Sequence, residues 1–294
     1  MTSQGILLAG GLGTRLGPLT KATNKHLLPV YDKPLIYYSL SSMLLYGVKS
    51  LCLISSLEFQ KSFKNLLGDG SRWGIRIEYA VQEKPEGIPQ AFRIAEPFLN
   101  VSESIFLGLG DNILHGTGTG RSLNPQKVKS IAEIYCSRVS NPEDYGVAEL
   151  DQLGKIISLE EKPSKPKSNL AITGFYYFPY EVIALSKNLK QSKRGEFEIV
   201  DLLRIFLSTD QLKLNLLTRG TAWLDAGSED GLLASSEFVS ALQKRQGLLV
   251  GSPDEAAWRM GYITKDQVKN NALEFKNSPY GQNLLELIKN DNFE

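Results

Sequence analysis

The stretch GILLAGGLGTRLG, Gly5 to Gly17, decides how the rest of the chain is read. Its first half, GILLAG (Gly5–Gly10), is a short apolar run closed by glycine, the pattern of a strand buried on both faces of a parallel sheet. Its second half sets Gly10, Gly11 and Gly13 beside Thr14 and Arg15. Glycine-rich backbone lets a ligand come close, and a neighbouring arginine favours an anion. This is not the G-x-x-x-x-G-K-[ST] phosphate loop, because no Lys-Ser/Thr pair follows. Nor is it the dinucleotide fingerprint, since Leu16 stands where close helix–strand packing wants a small residue. What remains is an anion-binding turn after the first strand, with structural glycines in a tight turn as the plain alternative.

Outward from that stretch, strand and helix patterns alternate. PLIYYSLSSMLLYG (Pro34–Gly47) starts with proline, spaces its apolar residues helically and ends in glycine, which predicts a helix. SLCLIS (Ser50–Ser55) predicts a second buried strand, a helix runs through Phe59–Leu67, and IRIEYAVQ (Ile75–Gln82) predicts a third strand. PQAFRIAEPFL reads as a helix, and SIFLGLGDN (Ser104–Asn112) as a fourth strand running into a carboxylate. The expected fold is α/β, a three-layer α/β/α sandwich with a mostly parallel mixed sheet of Rossmann-like type. Such sheets bind ligands at the carboxyl ends of their strands. Gly10–Arg15, Gln82–Gly87 and Asp111–Asn112 all fall there, so three separate stretches converge on one rim.

The middle of the chain is less regular. YGVAEL and KIISLEEKP predict a hairpin around Gly154, TGFYYFP a strand, and EFEIVDLLRIFLS an amphipathic helix. LKLNLLTRGTAWLDAG predicts a strand ending near Asp225, and from about Leu232 the pattern is helical. The resulting parse is a main domain over residues 1–230 and a helical C-terminal extension over 231–294.

Composition narrows the function. The chain has 294 residues and is 42% apolar, enough for a sizeable core. Its 33 basic and 32 acidic residues leave a net charge of +1, which argues against a nucleic-acid groove. Phosphate would be held by a few placed groups instead. Cys52 and Cys136 lie in apolar strand-like runs and read as buried thiols. No apolar run approaches ~18 residues and no signal pattern opens the chain, so a cytoplasmic protein without a membrane partner is expected. With only His26 and His115, any metal is expected on carboxylates, which favours a hard cation. NKHLLPVYDKPLI adds Lys25 near the glycine turn, and a second cation suits a chain of phosphates better than a single carboxylate.

LLAGGLGTRLGPLT followed by NKHLLPVYDKPLIYY resembles the signature of the sugar-1-phosphate nucleotidyltransferases. LGDGSRWG, LGDNI, YGVAELD, SLEEKPSKPKSNLAITGFYYF, RGEFEIVDL, AWLDAGS, RQGLLV and PDEAAWRMGYI, in that order, narrow the resemblance to the glucose-1-phosphate thymidylyltransferases. That resemblance implies transfer of a thymidylyl group from dTTP to glucose 1-phosphate, giving dTDP-glucose and pyrophosphate with Mg²⁺. A sugar phosphate oxygen is already a competent nucleophile at neutral pH. Positioning and charge neutralisation can therefore carry the reaction without a general base.

Carried over motif by motif, the resemblance puts Gly10, Gly11, Gly13, Thr14 and Arg15 around the triphosphate, with Lys25 and Lys162 as further catalytic cations. Asp111 and Asp225 would hold Mg²⁺. Gln82 and Gly87 would meet the base, while Asn112, Gly146, Glu161 and Ile172 would meet the sugar. Thymine and uracil differ by one methyl, worth ~1–3 kcal/mol, so reduced use of UTP is expected. Relatives bind inhibitory dTDP-sugars such as dTDP-rhamnose at a second site, onto which Arg219, Glu255 and Arg259 fall. The same relatives are homotetramers built partly by C-terminal helices.

The chain also departs from the family pattern. His26 replaces a usual glutamine, Val200 and Ala226 replace threonines, and the base loop carries Glu83-Lys84 and Ile88-Pro89. LHGTGTGRSLNP (Leu114–Pro125) is unusually rich in glycine. These changes bear on specificity, leaving UTP or another hexose 1-phosphate open. A nucleotide-sugar sensor without turnover is the reading from another class. The joint presence of Arg15, Lys25, Asp111 and Asp225 argues against it.

Overall fold

The computed structural model describes residues 3–11, 13–116 and 130–290. The opening stretch forms β1 (Ser3–Ala9), whose Ile6 and Leu7 are wholly buried on opposite faces. A short hairpin of β2 (Pro29–Val30) and β3 (Lys33–Pro34) leads into α1 (Ile36–Leu45). Glycine within β1 has a packing cause: a Cβ on Gly5 would lie 2.7 Å from Met43 Cε, so its absence lets α1 close onto the sheet.

β4 (Val48–Ser55), α2 (Leu57–Leu67), β5 (Arg76–Val81), α3 (Gln90–Ala95) and β6 (Ile105–Leu109) continue the alternation. β4 and β6 flank β1 in parallel, and β5 pairs with β4, so the expected parallel centre is present. The expected fourth strand is shorter than its apolar run suggests. It stops at Leu109, the chain turns through Gly110 and Asp111, and β7 (Asn112–His115) belongs to a different, two-stranded sheet.

β8 (Ala132–Arg138), β9 (Gly146–Leu150), β10 (Ile156–Glu161) and β11 (Leu170–Phe178) extend the sheet in antiparallel fashion. The β9–β10 hairpin turns at Gly154 as expected, where φ is +79°. α4 (Val182–Lys187) and α5 (Ile199–Ser208) precede β12 (Leu212–Leu216), which pairs with β8, and β13 (Ala222–Asp225), which pairs with β7. LKLNLLTRGTAWLD is thus two strands in two sheets, broken at the Thr218–Thr221 turn, rather than the single strand expected.

Two apolar layers sandwich the sheet. Leu7, Leu53, Ile77 and Phe106 meet α1 and α2 on one face, while Ile6, Ile54, Leu107 and Phe178 meet α3, α4 and α5 on the other. The chain ends in α6 (Glu229–Gln246), α7 (Pro253–Arg259), α8 (Lys265–Glu274) and α9 (Pro279–Asn290). Val268, Leu284 and Ile288 of these last helices join the α1 side of the core. Cys52 and Cys136 are buried free thiols, and burial pushes the Cys52 thiol up to about 12. Among the described residues, no helix is long and apolar enough to cross a membrane.

Candidate active site

The carboxyl ends of β1, β5 and β6 open onto one rim, where the glycine turn begins. Gly13 has φ +62°, and Thr20 Oγ1 donates to its carbonyl at 3.0 Å. Asn24, buried, donates from Nδ2 to the Ala9 carbonyl at 3.1 Å and accepts the His26 amide at 2.9 Å. That amide therefore ties the loop bearing Lys25 to the end of β1. A Cβ on Gly11 would lie 3.8 Å from Lys25 Nζ, so the ammonium lies against the glycine turn.

Asp111 and Asp225 are brought together by strand register. In the β7–β13 ribbon Asn112 faces Asp225, and the Ala226 amide donates to the Asp111 carbonyl at 3.0 Å. The point where a Cβ on Gly227 would sit is 3.0 Å from Asp225 Oδ1, 3.3 Å from Arg15 Nη2 and 3.5 Å from Asp111 Oδ2. Glycine at 227 therefore keeps open a cradle between two carboxylates and a guanidinium. Among the described residues no group of three or more His, Cys, Asp or Glu is placed to hold a metal. A hard cation here would take two carboxylates from the protein and the rest from ligand oxygens and water, the habit of Mg²⁺ beside phosphates.

The two carboxylates are electrostatically unlike. Burial raises both, but Lys25, ion-paired to Asp111 and bonded to it, outweighs that and holds Asp111 well below the usual range. Burial and the neighbouring Asp111 charge push Asp225 up to about 6. His26, packed against Gly110 with Nδ1 2.6 Å from Asn24 Oδ1, is driven by burial, and then by Lys25, down to about 3. The buried imidazole is therefore neutral and packs against Gly110.

Beyond the rim lies a cleft of about 510 Å³. Arg15, Gly87, Asp111, Asn112, Gly146 and Glu161 line it, as do Lys162, Ile172 and Asp225. Lys162 sits at φ +43°, a strained position for a side chain, held by its amide donating to the Tyr145 carbonyl at 3.0 Å. Among the described residues no carboxylate lies within ion-pair reach of Lys162. A Cβ on Gly146 would meet Val200 at 3.2 Å and both Glu161 and Ile172 at 3.4 Å, so these residues form one wall. Burial, and then Glu198, raise the Glu161 carboxyl. Asn112 is heavily engaged: its Oδ1 accepts from the Gly174 amide at 2.9 Å and from Trp223 Nε1 at 2.6 Å, while Nδ2 donates to Asp111 at 3.0 Å.

Gln82 lies over Gly10, where any Cβ would collide with its Oε1. Gly87 has φ +107°, and a Cβ there would strike the Phe197 carbonyl. Residues not singled out from sequence also line the cleft: Tyr145, Thr173, Arg194, Glu198 and Trp223. Arg194 bonds Glu198 at 2.7 Å and reaches Glu161 at 3.5 Å, and Trp223 meets Tyr145 edge-on at 5.0 Å. Arg194 and Trp223 sit inside RGEFEIVDL and AWLDAGS, so the signal was present as motif but carried no periodicity or charge pattern of its own.

Glu255 and Arg259, ion-paired at 3.6 Å, line a separate pocket of about 160 Å³ with Ser41, Leu114, His115 and Gly116. Arg219 is exposed and does not line it, although its neighbour Gly220 abuts Gly116. The rest of the glycine-rich stretch expected near this site, from residue 117 to 125, lies outside the described residues.

The nucleotidyl transferase family model matches residues 4–242, a span that holds the glycine turn, both carboxylates and the whole cleft. The chain belongs to the nucleotidyl transferase family. Within that family, it is 47% identical over 285 residues to a glucose-1-phosphate thymidylyltransferase of Mycolicibacterium smegmatis, covering 97% of this chain and 99% of the relative. It is 45% identical over 286 residues to one of Mycobacterium tuberculosis, with the same coverage. In structure it matches a candidate glucose-1-phosphate thymidylyltransferase of Bacillus anthracis solved with sucrose: TM-score 0.74, 36% identity, covering 81% of this chain and 95% of that one. These likenesses make this family member an enzyme.

Proposed function

We propose that the chain transfers the thymidylyl group of dTTP to glucose 1-phosphate, releasing pyrophosphate and dTDP-glucose. The observation that carries this reading is the cradle at Gly227, where Asp111, Asp225 and Arg15 converge beside the glycine turn. In this reading Gly10, Gly11, Gly13 and Thr14 wrap the triphosphate, and Arg15 and Lys25 draw charge from the α- and leaving phosphates. Lys162 meets the sugar phosphate, whose oxygen attacks the α-phosphorus in line while the α–β bridging bond breaks. Gln82 and Gly87 meet thymine; Asn112, Gly146, Glu161 and Ile172 meet the sugar, with Asn112 also bracing Asp111. Mg²⁺ on Asp111 and Asp225 would supply further neutralisation of phosphate charge.

A neutral His26 suits a nucleophile that needs no deprotonation. We also infer a homotetramer in the cytoplasm and a dTDP-sugar site at Glu255 and Arg259, with Arg219 at its edge. These rest on family resemblance, and mass photometry and end-product inhibition test them.

Pyrophosphate release with Mg²⁺, in a grid of dTTP or UTP against several hexose 1-phosphates, tests the main reading. The dTTP and glucose 1-phosphate pair should give the highest kcat/KM, and Asp111→Asn should abolish it. Another winning pair would keep the chemistry and reassign the substrate, whereas silence throughout would sink the reading.

A further inference from the structure

The base-facing amide of Gln82 has two possible orientations, and which one holds decides which pyrimidine it can pair with. Gln82 Nε2 donates to Gln90 Oε1 at 2.6 Å. Gln90 Nε2 in turn donates to Glu86 Oε2 at 3.0 Å, and the Glu86 amide donates to Gln90 Oε1 at 3.2 Å. A carboxylate can only accept, and a backbone amide can only donate. Glu86 therefore fixes which end of Gln90 carries nitrogen, and Gln90 fixes the same for Gln82. Flipping Gln82 would set its oxygen against the Gln90 oxygen. The loop is braced in turn, since the Phe197 amide donates to the Glu86 carbonyl at 2.7 Å.

What this leaves exposed to a ligand is specific. Gln82 is 4% exposed. Among the described residues no hydrogen bond reaches its Oε1, which lies over Gly10, and one Nε2–H remains unused. An unpaired acceptor beside a donor, on a side chain only 4% exposed and in fixed order, asks for a donor beside an acceptor. Thymine and uracil offer that as N3–H next to a carbonyl. Cytosine held in the same pose presents N3 as an acceptor, so Gln82 Oε1 would face a second lone pair; its own matched edge, N4–H beside N3, would need the base displaced or the amide reversed.

We propose that Glu86 and Gln90 are positioning residues that set the polarity of Gln82 and so exclude cytosine nucleotides. This rests on Gln82 meeting the base, as proposed above. The chain of bonds also predicts its own repair. In a Glu86→Gln, Gln90→Glu double variant, the new amide at 86 can donate to the new carboxylate at 90, which still accepts from Gln82 Nε2.

The test is calorimetric binding of dTTP and dCTP with Mg²⁺, alongside kcat/KM for both with glucose 1-phosphate. The proteins are the full-length wild type, Glu86→Gln, Gln90→Leu and the double variant. Gln90→Leu should narrow the dTTP-to-dCTP preference by roughly tenfold or more, through Kd and KM rather than kcat. Glu86→Gln, which keeps the backbone donor to Gln90 and an oxygen able to accept from it, should narrow the preference less. The double variant should recover most of it. A purely structural role would weaken both nucleotides equally. An unchanged preference in folded Gln90→Leu, or a double variant no more selective than Gln90→Leu, overturns the proposal while dTTP turnover by the wild type stands. A wild type that binds neither nucleotide overturns the base-site reading together with it.

Discussion

His26 and Asp225 show how burial near one cluster of charge moves two side chains in opposite functional directions. His26 titrates near 6.5 when unfolded and at about 3 when folded, because burial and then Lys25 oppose its charge. Between those values the unfolded state binds more protons, so the protein loses stability as pH falls below about 6.5. At ~1.4 kcal/mol per pH unit, His26→Gln should be relatively more stable at pH 5 than at pH 7, by about 2 kcal/mol in a difference of differences. Urea melts at both pH values check this; a pH-independent gap would mean that the imidazole is hydrated. For Asp225 the shift is upward, to about 6, through burial and the Asp111 charge. The folded state then favours the protonated form, and stability is lost as pH rises from about 3.8 through 6. Asp225→Asn keeps an acceptor for the Gly227 amide, 3.0 Å away. In metal-free buffer it should therefore melt above the wild type at pH 7.5, by at most about 3 kcal/mol, with the gap closing towards pH 4. Its turnover should nevertheless be lost. Higher stability with lost activity is the mark of a charge retained for function.

Elements carry what residues alone cannot. The β7–β13 ribbon places Asp111 beside Asp225, and the turn after β13 leaves Gly227 between them. Gly227 lies outside the left-handed region, so alanine there costs little in backbone strain. Its methyl would nonetheless enter the cradle 3.0 Å from Asp225 Oδ1. Gly227→Ala should lower kcat/KM by ~100-fold or more while leaving the far-UV spectrum and the thermal midpoint nearly unchanged. Retained activity would move the reactive phosphates elsewhere in the cleft. The parallel strands were legible because apolar runs ending in glycine or a carboxylate need no partner to be recognised. Gly10–Arg15, Asp111 and Asp225 were legible as strand-end residues for the same reason. The break at Gly110 was not, because it depends on His26 filling the space a Cβ would take, 2.6 Å from Cδ2. Nor was the separation of β12 from β13, since their partners β8 and β7 lie far back in the chain. The clamp of Asn112 on Trp223 and Gly174 belongs to that same long-range register.

At the scale of the whole molecule, the C-terminal helices are bound into the sheet layer through aromatic and buried polar contacts. Tyr37 of α1 meets Trp73 edge-on at 5.8 Å and Tyr280 of α9 at 6.3 Å. Beneath them Asp254 is 1% exposed, accepting from Tyr280 Oη at 2.7 Å and from Asn271 Nδ2 at 2.7 Å, with Arg72 Nη2 3.9 Å away. One buried carboxylate thus joins α7, α8, α9 and the turn before β5. Removing it strands its partners in a dry interior, where breaking such a cluster costs ~3–5 kcal/mol. Asp254→Ala should therefore lower stability by about that amount in a urea melt, although the residue lies outside the cleft. Asp254→Asn can still accept from Tyr280 and should lose less. A chain ending at Gln246 should fare worse than either, because it bares Tyr37, Trp73 and the α1 face together. It should bind a hydrophobic dye and give no cooperative melt. A cooperative, active fragment from that truncation would show that the sheet and its cleft stand without the last three helices, and would confine Asp254 to docking them.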